Sequence, residues 1–202
     1  MPAVLQVTAP SGYPVDVTTA RAHCKIDLTG DSATDAEVTS LITGWISTFT
    51  RLAETELGRP ILTRDYEAAL DCFPSGKHGT QIRLISGGVT AIRSIKYTPP
   101  AGGAQVTLSS GAYELDTRVE PPIVALLPDQ AWPETQARRN AVVVLFTAGW
   151  ANAAAVPDEV KTWILAHVAD SNRNREAYGE RELRPLPYLS SLLDGLRVTT
   201  FA

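Results

Sequence analysis

Hydrophobic residues recur at intervals of three and four positions between Thr34 and Gly58. This spacing places one apolar stripe along an α-helix. Thr34 followed by Glu37 matches a capping box, and Gly58 is a typical helix end. The pattern therefore predicts a helix over residues 34–58, which needs a second element to cover its stripe. The apolar positions are Val38, Leu41, Ile42, Trp45, Ile46, Phe49, Leu52, Ala53 and Leu57.

A second periodic segment lies about a hundred residues further on and predicts a helix over residues 157–178. Pro157 suits a first helical turn, and Gly179 marks the end of the pattern. We expect this helix to cover the stripe of the first one, with a short helix over residues 18–27 beside them. The apolar stripe of the second helix consists of Val160, Trp163, Ile164, His167 and Val168.

The hydrophobic period changes from that of a helix to that of a strand after Pro60. Short β-prone runs alternate with glycine- and proline-rich turns, which is typical of antiparallel hairpins. The run at 141–148, AVVVLFTA, is the most continuous and predicts a central strand covered on both faces. The predicted strands lie near 66–72, 81–85, 90–98, 104–108, 112–116, 123–127 and 141–148.

These elements predict an α+β fold in which a helical bundle carries an inserted antiparallel β-domain of about six strands. Residues 1–60 and 149–195 are assigned to the bundle, and residues 61–148 to the β-domain. Residues 1–16 contain three prolines and are predicted to form an extended arm. The remaining residues, 196–202, form a β-prone segment that we name the C-terminal tail.

The composition excludes several functional classes. A formal charge of −4 and a pI near 5.4 argue against a general nucleic-acid binder. Cys24 and Cys72 have no neighbours at metal-ligand spacing, so no metal site is predicted. No window has the length and hydropathy of a membrane span or a signal peptide, so we expect synthesis in the cytoplasm and no membrane partner.

The sequence contains no recognisable catalytic or cofactor-binding motif, so no catalytic residue and no cofactor are predicted. His167 lies on the apolar stripe of a predicted helix, where a packing role is favoured over that of a base. An enzyme with a small-ligand site near His167 stays open as an alternative from another functional class.

Two segments have the character of contact surfaces. The end of the second long helix alternates arginine with glutamate, which fits either a solvated helix end or a contact with another copy. The C-terminal tail fits either a frayed end or a strand given to the sheet of a partner. The candidate residues for contacts between subunits are Arg173, Arg175, Glu176, Tyr178 and Arg181.

Taken in order, these segments resemble the head-tail connector, or adaptor, proteins of long-tailed double-stranded DNA bacteriophages and gene-transfer particles. The resemblance covers nearly the whole chain. It rests on AHCKID, the helix DAEVTSLITGWISTFTRLAETELG with its exit GRPIL, LDCFP, IRSIKYTPPAGG, YELD, the Trp132-Pro133 pair, and VVLFTAGW followed by VPDEVKTWILAHVADSNRNREAYG. Asp170-Ser171 stands where such connectors usually have a tyrosine before the Asn-Arg pair.

The resemblance implies a structural virion protein and not an enzyme. It implies a ring of roughly twelve copies between the portal protein and the next neck or tail component, with DNA passing through without specific binding. It also implies that the C-terminal segment grips the portal. The alternative within this setting is a stopper or tail-completion protein, for which residues 82–95 are the candidate plug hairpin. The residues assigned to the portal contact are Leu189, Leu192, Leu193, Leu196, Arg197, Val198, Thr199, Thr200 and Phe201.

Overall fold

The computed structural model describes residues 3–75, 81–84, 86–174 and 187–198. It confirms the α+β fold class, with helices at both ends of a central series of antiparallel strands. The chain divides into two compact units. The β unit contains the described residues up to Ser11, those between Thr63 and Gly149, and Val198; the helical unit contains those between Gly12 and Leu62 and between Trp150 and Arg197.

The helices lie close to their predicted positions but differ at their ends. The short helix ends at Cys24 and the second long helix at Arg173, earlier than the predicted ends at 27 and 178. The long helix starts earlier than predicted because the Asp31 carboxylate, and not the Thr34 side chain, caps it by accepting the Thr34 amide at 3.1 Å. Gly58 ends this helix in the left-handed conformation, as the sequence predicted. The helices are α1 (Val17–Cys24), α2 (Ser32–Leu57), α3 (Asp158–Arg173) and α4 (Pro187–Ser191).

The two long helices pack against each other, as their stripes predicted. Ile42 and Ile46 of α2 share one fully buried core with Val160 and Ile164 of α3. Removing this apolar surface from water is the main stabilising contribution in such a unit. No helix among the described residues is long and apolar enough to cross a membrane.

The β unit contains two antiparallel sheets. The strands are β1 (Ala3–Gln6), β2 (Arg64–Leu70), β3 (Gln81–Arg83), β4 (Val89–Tyr97), β5 (Val106–Thr107), β6 (Tyr113–Asp116), β7 (Ile123–Leu126) and β8 (Val142–Ala148). The five-stranded sheet has the order β1-β2-β8-β4-β5, and the three-stranded sheet has the order β3-β7-β6.

Strand β8 is the centre of the larger sheet, as its continuous apolar sequence predicted. Val142, Val144 and Phe146 are completely buried, and the Phe146 ring stacks on Tyr66 with centroids 5.7 Å apart. Val143 and Leu145, on the other face, are half-buried. A β-branched and aromatic run therefore becomes the strand with neighbours on both sides.

The N-terminal residues differ from the extended arm that their prolines suggested. Ala3–Gln6 forms β1, which pairs with β2 in a register that places Val4 opposite Ala68. The residues of this strand contain no proline, so their amides remain available to the sheet. The N-terminal strand thus belongs to the β unit and not to the helical bundle.

Candidate assembly surfaces

The C-terminal leucines assigned to docking lie mostly inside the helical unit. Leu193 is only 1% exposed and belongs to the core formed by the long helices, while Leu192 and Leu196 are partly buried against that core. Leu189, on α4, is half-buried. The docking role predicted for Leu193 is therefore corrected to a packing role, because a side chain buried in its own core has no surface to offer.

Arg197 follows the last turn of the helical unit and lies at the surface. Its guanidinium contacts the Glu56 carboxylate of α2 at 2.9 Å and the Asp194 carboxylate at 3.7 Å. The side chains of Arg197 and Glu56 are 43% and 46% exposed, so water and salt screen this ion pair. The pair therefore contributes little to the stability of the unit.

Val198, the last described residue, lies within the β unit. Its side chain sits against Gly87, where even a Cβ atom would collide with Val198 and with Glu120. A Glu120 carboxylate oxygen accepts the Gly88 amide at 2.7 Å, which fixes that side chain beside Val198. The start of the C-terminal tail is therefore packed on its own chain, whereas Thr199, Thr200 and Phe201 lie outside the described residues.

Of the charged segment that begins at the end of the second long helix, the structure describes only Arg173 and Asn174. Arg173 is exposed in the last turn of α3. Burial raises the pKa of the nearby Cys24 thiol, and the positive charge of Arg173 opposes that shift. The other predicted subunit-contact residues, Arg175, Glu176, Tyr178 and Arg181, lie outside the described residues. The helix itself ends at Arg173, before the predicted end at Gly179.

His167 occupies an aromatic packing site. Its ring stacks on Trp163 with centroids 3.9 Å apart and lies 5.3 Å from the Phe49 ring. Its Nδ1 atom is 2.9 Å from the Trp163 carbonyl oxygen, the distance of a hydrogen bond donated within the helix. These contacts fit a packing residue better than a base facing a substrate. Among the described residues, no group of three or more His, Cys, Asp or Glu side chains is arranged to hold a metal ion.

The predicted plug hairpin of the stopper alternative does not form as a single hairpin. Gln81–Arg83 pairs with β7 in the three-stranded sheet. Val89–Tyr97 pairs with β8 and β5 in the five-stranded sheet. Because the two strands belong to different sheets, residues 82–95 connect the sheets and do not extend from them as a plug.

The sequence interpretation overlooked two exposed sheet edges. Leu5 and Val7, at the β1 edge, are 63% and 53% exposed, and Val106 on β5 is 43% exposed. The only sequence signal is the absence of charged residues around both strands. An uncharged apolar segment can be either a buried strand or an exposed edge, and the apolar pattern alone does not distinguish the two.

Comparison with known proteins connects this fold to particle necks. Neither a scan against protein-family models nor a search of curated proteins finds a match. Among solved structures, the chain is similar to a component of the neck of an empty gene transfer agent (GTA) particle computed with C6 symmetry. The identity is 18% and the TM-score 0.79, and the match covers 99% of this chain and 97% of the other.

Two further solved structures show the same fold. A chain from the virion of a native gene transfer agent particle is 18% identical, with a TM-score of 0.75 and coverage of 98% and 97%. A chain from the neck of a native GTA particle, computed with C12 symmetry, is 17% identical, with a TM-score of 0.71 and coverage of 99% and 97%. The fold of the chain is that of these particle proteins, which agrees with the resemblance found in the sequence.

Proposed function

We propose that this chain is a structural subunit of the neck of a tailed, DNA-containing particle, where it acts as a head-tail adaptor. The observation that carries this proposal is the similarity of fold over almost the full length of chains from particle necks and a virion. Both units take part in that similarity, so it extends beyond one common module.

The adaptor forms a ring of about twelve copies between the portal protein and the next neck or tail component. The C12 and C6 symmetries of the similar necks support this arrangement, since cyclic rings are built from head-to-tail contacts. With a formal charge of −4 per copy, a twelve-copy ring carries on the order of fifty negative charges. Such a ring repels phosphates and lets DNA pass without binding it.

We assign the portal contact to Leu189 and to the end of the chain from Arg197 onward. This set of residues is smaller than the predicted one, because Leu193 is buried and Leu192 and Leu196 are partly buried in the core of the helical unit. Contacts between neighbouring copies include the charged region that starts at Arg173. An enzymatic role lacks a supporting observation in the described residues, since His167 is packed between aromatic rings.

Imaging of purified particles tests the proposal. An epitope tag placed at the exposed loop near Val119, which is 42% exposed, is expected to appear at the neck in about twelve copies per particle. A chain truncated after Arg197 is expected to fold normally and to bind isolated portal protein at least tenfold more weakly. Absence of the tag from the neck contradicts the adaptor proposal, and undiminished portal binding contradicts the assignment of the tail.

A further inference from the structure

Val198 packs on the backbone of the loop that joins β3 to β4. Gly87, in this loop, is buried. A Cβ atom at Gly87 would collide with a methyl group of Val198 and would lie 3.3 Å from the Val198 Cβ atom. In a closely packed interior, such a position has no room for even one additional methyl group. Val198 therefore occupies space that exists because residue 87 has no side chain.

The backbone conformation of Gly87 does not itself require glycine. The glycines with positive φ include the next residue, Gly88, at 68°, but not Gly87. An alanine can therefore adopt the backbone angles of residue 87 without strain. Glycine at position 87 is explained by the close approach of other side chains, whereas glycine at position 88 is explained by the conformation of the turn.

Glu120 lies beside Val198 at the same place. Its carboxylate oxygen Oε1 accepts the Gly88 amide at 2.7 Å, and the same oxygen would collide with a Cβ atom at Gly87. The Gly88 carbonyl oxygen accepts the Gly149 amide at 3.0 Å. Because Gly149 directly follows β8, these hydrogen bonds tie the loop to the central strand of the larger sheet. We name Gly87, Gly88 and Glu120 the tail seat.

We propose that the tail seat positions the C-terminal tail for its contact with the portal protein. This inference rests on the proposed function, which assigns the portal contact to Leu189 and to the end of the chain. Val198 then acts by fixing the point from which the last four residues, 199–202, continue. Gly87 and Glu120 are positioning residues, since they act on the portal contact through Val198.

Fixing Val198 in advance favours binding for an entropic reason. A backbone residue that is already ordered in the free protein does not have to be ordered when the partner binds. Preorganisation of this kind raises affinity without adding any contact. The affinity for portal protein should therefore depend on Gly87 and Glu120, although neither residue touches the portal.

Binding of the full-length chain to isolated portal protein tests the inference. Gly87→Ala is expected to lower the affinity about tenfold, because Val198 then has to be ordered on binding. Gly111→Ala is the matched control and is expected to bind like the wild type. Gly111 also lies in the β unit without a positive φ, and a Cβ atom there meets only the Ser109 hydroxyl oxygen, at 3.7 Å.

Two results of this comparison would overturn the inference. Equal affinities of Gly87→Ala and Gly111→Ala would show that the tail seat does not contribute to the portal contact. Tighter binding by Gly87→Ala would show that the seat holds the tail back instead of positioning it.

The chain truncated after Arg197 shows whether Gly87 acts through the tail. In that chain, Gly87→Ala is expected to change the affinity by less than about twofold, because Val198 is no longer present to be displaced. A purely structural effect of the substitution would weaken binding equally with and without the tail. An equal loss in both chains would therefore contradict the positioning role.

Substitutions of Glu120 separate its hydrogen bond from its charge. Glu120→Ala removes the acceptor of the Gly88 amide and should weaken portal binding several-fold. Glu120→Gln keeps an oxygen that can accept the same amide, so it should recover most of that loss. If both variants bind equally weakly, the charge of Glu120 and not its position is what matters, and the positioning role is rejected.

The wild-type chain separates failure of this inference from failure of the proposed function. If the wild type does not bind portal protein, or if truncation after Arg197 leaves binding undiminished, the portal assignment fails and the inference fails with it. If the wild type binds through its tail and Gly87→Ala binds equally well, only the role of the tail seat is overturned.

Discussion

Replacing Leu193 by alanine separates a packing role from a docking role. Leu193 is 1% exposed in the core of the helical unit, and a buried Leu→Ala change costs about 2–5 kcal/mol of unfolding free energy. We expect a loss near the middle of that range, about 3 kcal/mol, because the short α4 segment can collapse partly around the cavity. At about 2–4 °C per kcal/mol for a chain of this size, the thermal midpoint should fall by about 6–12 °C.

Urea unfolding followed by tryptophan fluorescence measures this loss. Trp45, Trp150 and Trp163 lie in the helical unit, so the signal follows mainly that unit. Tyr188→Ala serves as the control, since Tyr188 is 56% exposed and its truncation should change stability by less than about 0.5 kcal/mol. If the Leu193→Ala variant unfolds like the wild type but no longer binds portal protein, the packing assignment is refuted and the docking prediction is restored.

Three further predictions follow from the core, a helix cap and the tail. Phe146→Ala should lower the calorimetric stability of the β unit by about 3–5 kcal/mol because Phe146 is completely buried, and a change below about 1 kcal/mol would contradict its position. Hydrogen bonds from the Thr19 amide and hydroxyl lower the pKa of Asp16 below 3.8. The charged Asp16 cap therefore stabilises α1 above pH 3.8, and this stabilisation is lost as the pH falls through the lowered pKa. The Asp16→Asn variant should show a smaller acid-induced drop in thermal midpoint than the wild type, and an equal drop would count against the cap. Gly87→Ala should displace Val198 and speed tryptic cleavage after Arg197 several-fold. Gly44→Ala is the control, since a Cβ atom there meets nothing and the backbone is helical; equal cleavage rates would show that Val198 does not pack against Gly87.

The helices were predictable because their information is local. An apolar stripe with a period of 3.6 residues needs cover, and the stripe of α3, a helix of 16 residues, covers part of the stripe of α2, a helix of 26 residues. The start of α2 was missed because both Asp31 and Thr34 suit the cap position. Asp31 accepts hydrogen bonds from the Thr34 amide and hydroxyl, while Asp35 accepts the Thr29 amide. Several oxygens within five residues make the exact cap a matter of geometry, which the pattern does not contain.

The strand β1 and the C-terminal leucines were harder to assign because their partners are distant in sequence. A proline-flanked apolar segment such as residues 3–7 reads equally well as an arm or as an edge strand. Pairing with β2, some sixty residues away, decides the matter. Leu193 raises the same difficulty, since a leucine-rich end suits a core or a docking surface. Its cover comes from helices at both ends of the chain, and the sequence does not show that proximity.

Both units leave apolar surface exposed, which bears on assembly. In the helical unit Leu41 and Leu52 of the α2 stripe are 44% and 42% exposed, and in the β unit Leu5 and Val106 are 63% and 43% exposed. Such surface favours association of copies that meet, yet a charge of −4 on each copy opposes their approach. Salt screens that repulsion at separations beyond about 8–10 Å. The repulsion between copies therefore slows their encounters, and contacts that act at short range stay intact. Under the proposed function, copies held side by side on a portal no longer need to meet by diffusion. The charge then limits association in solution without opposing it on the particle to the same extent.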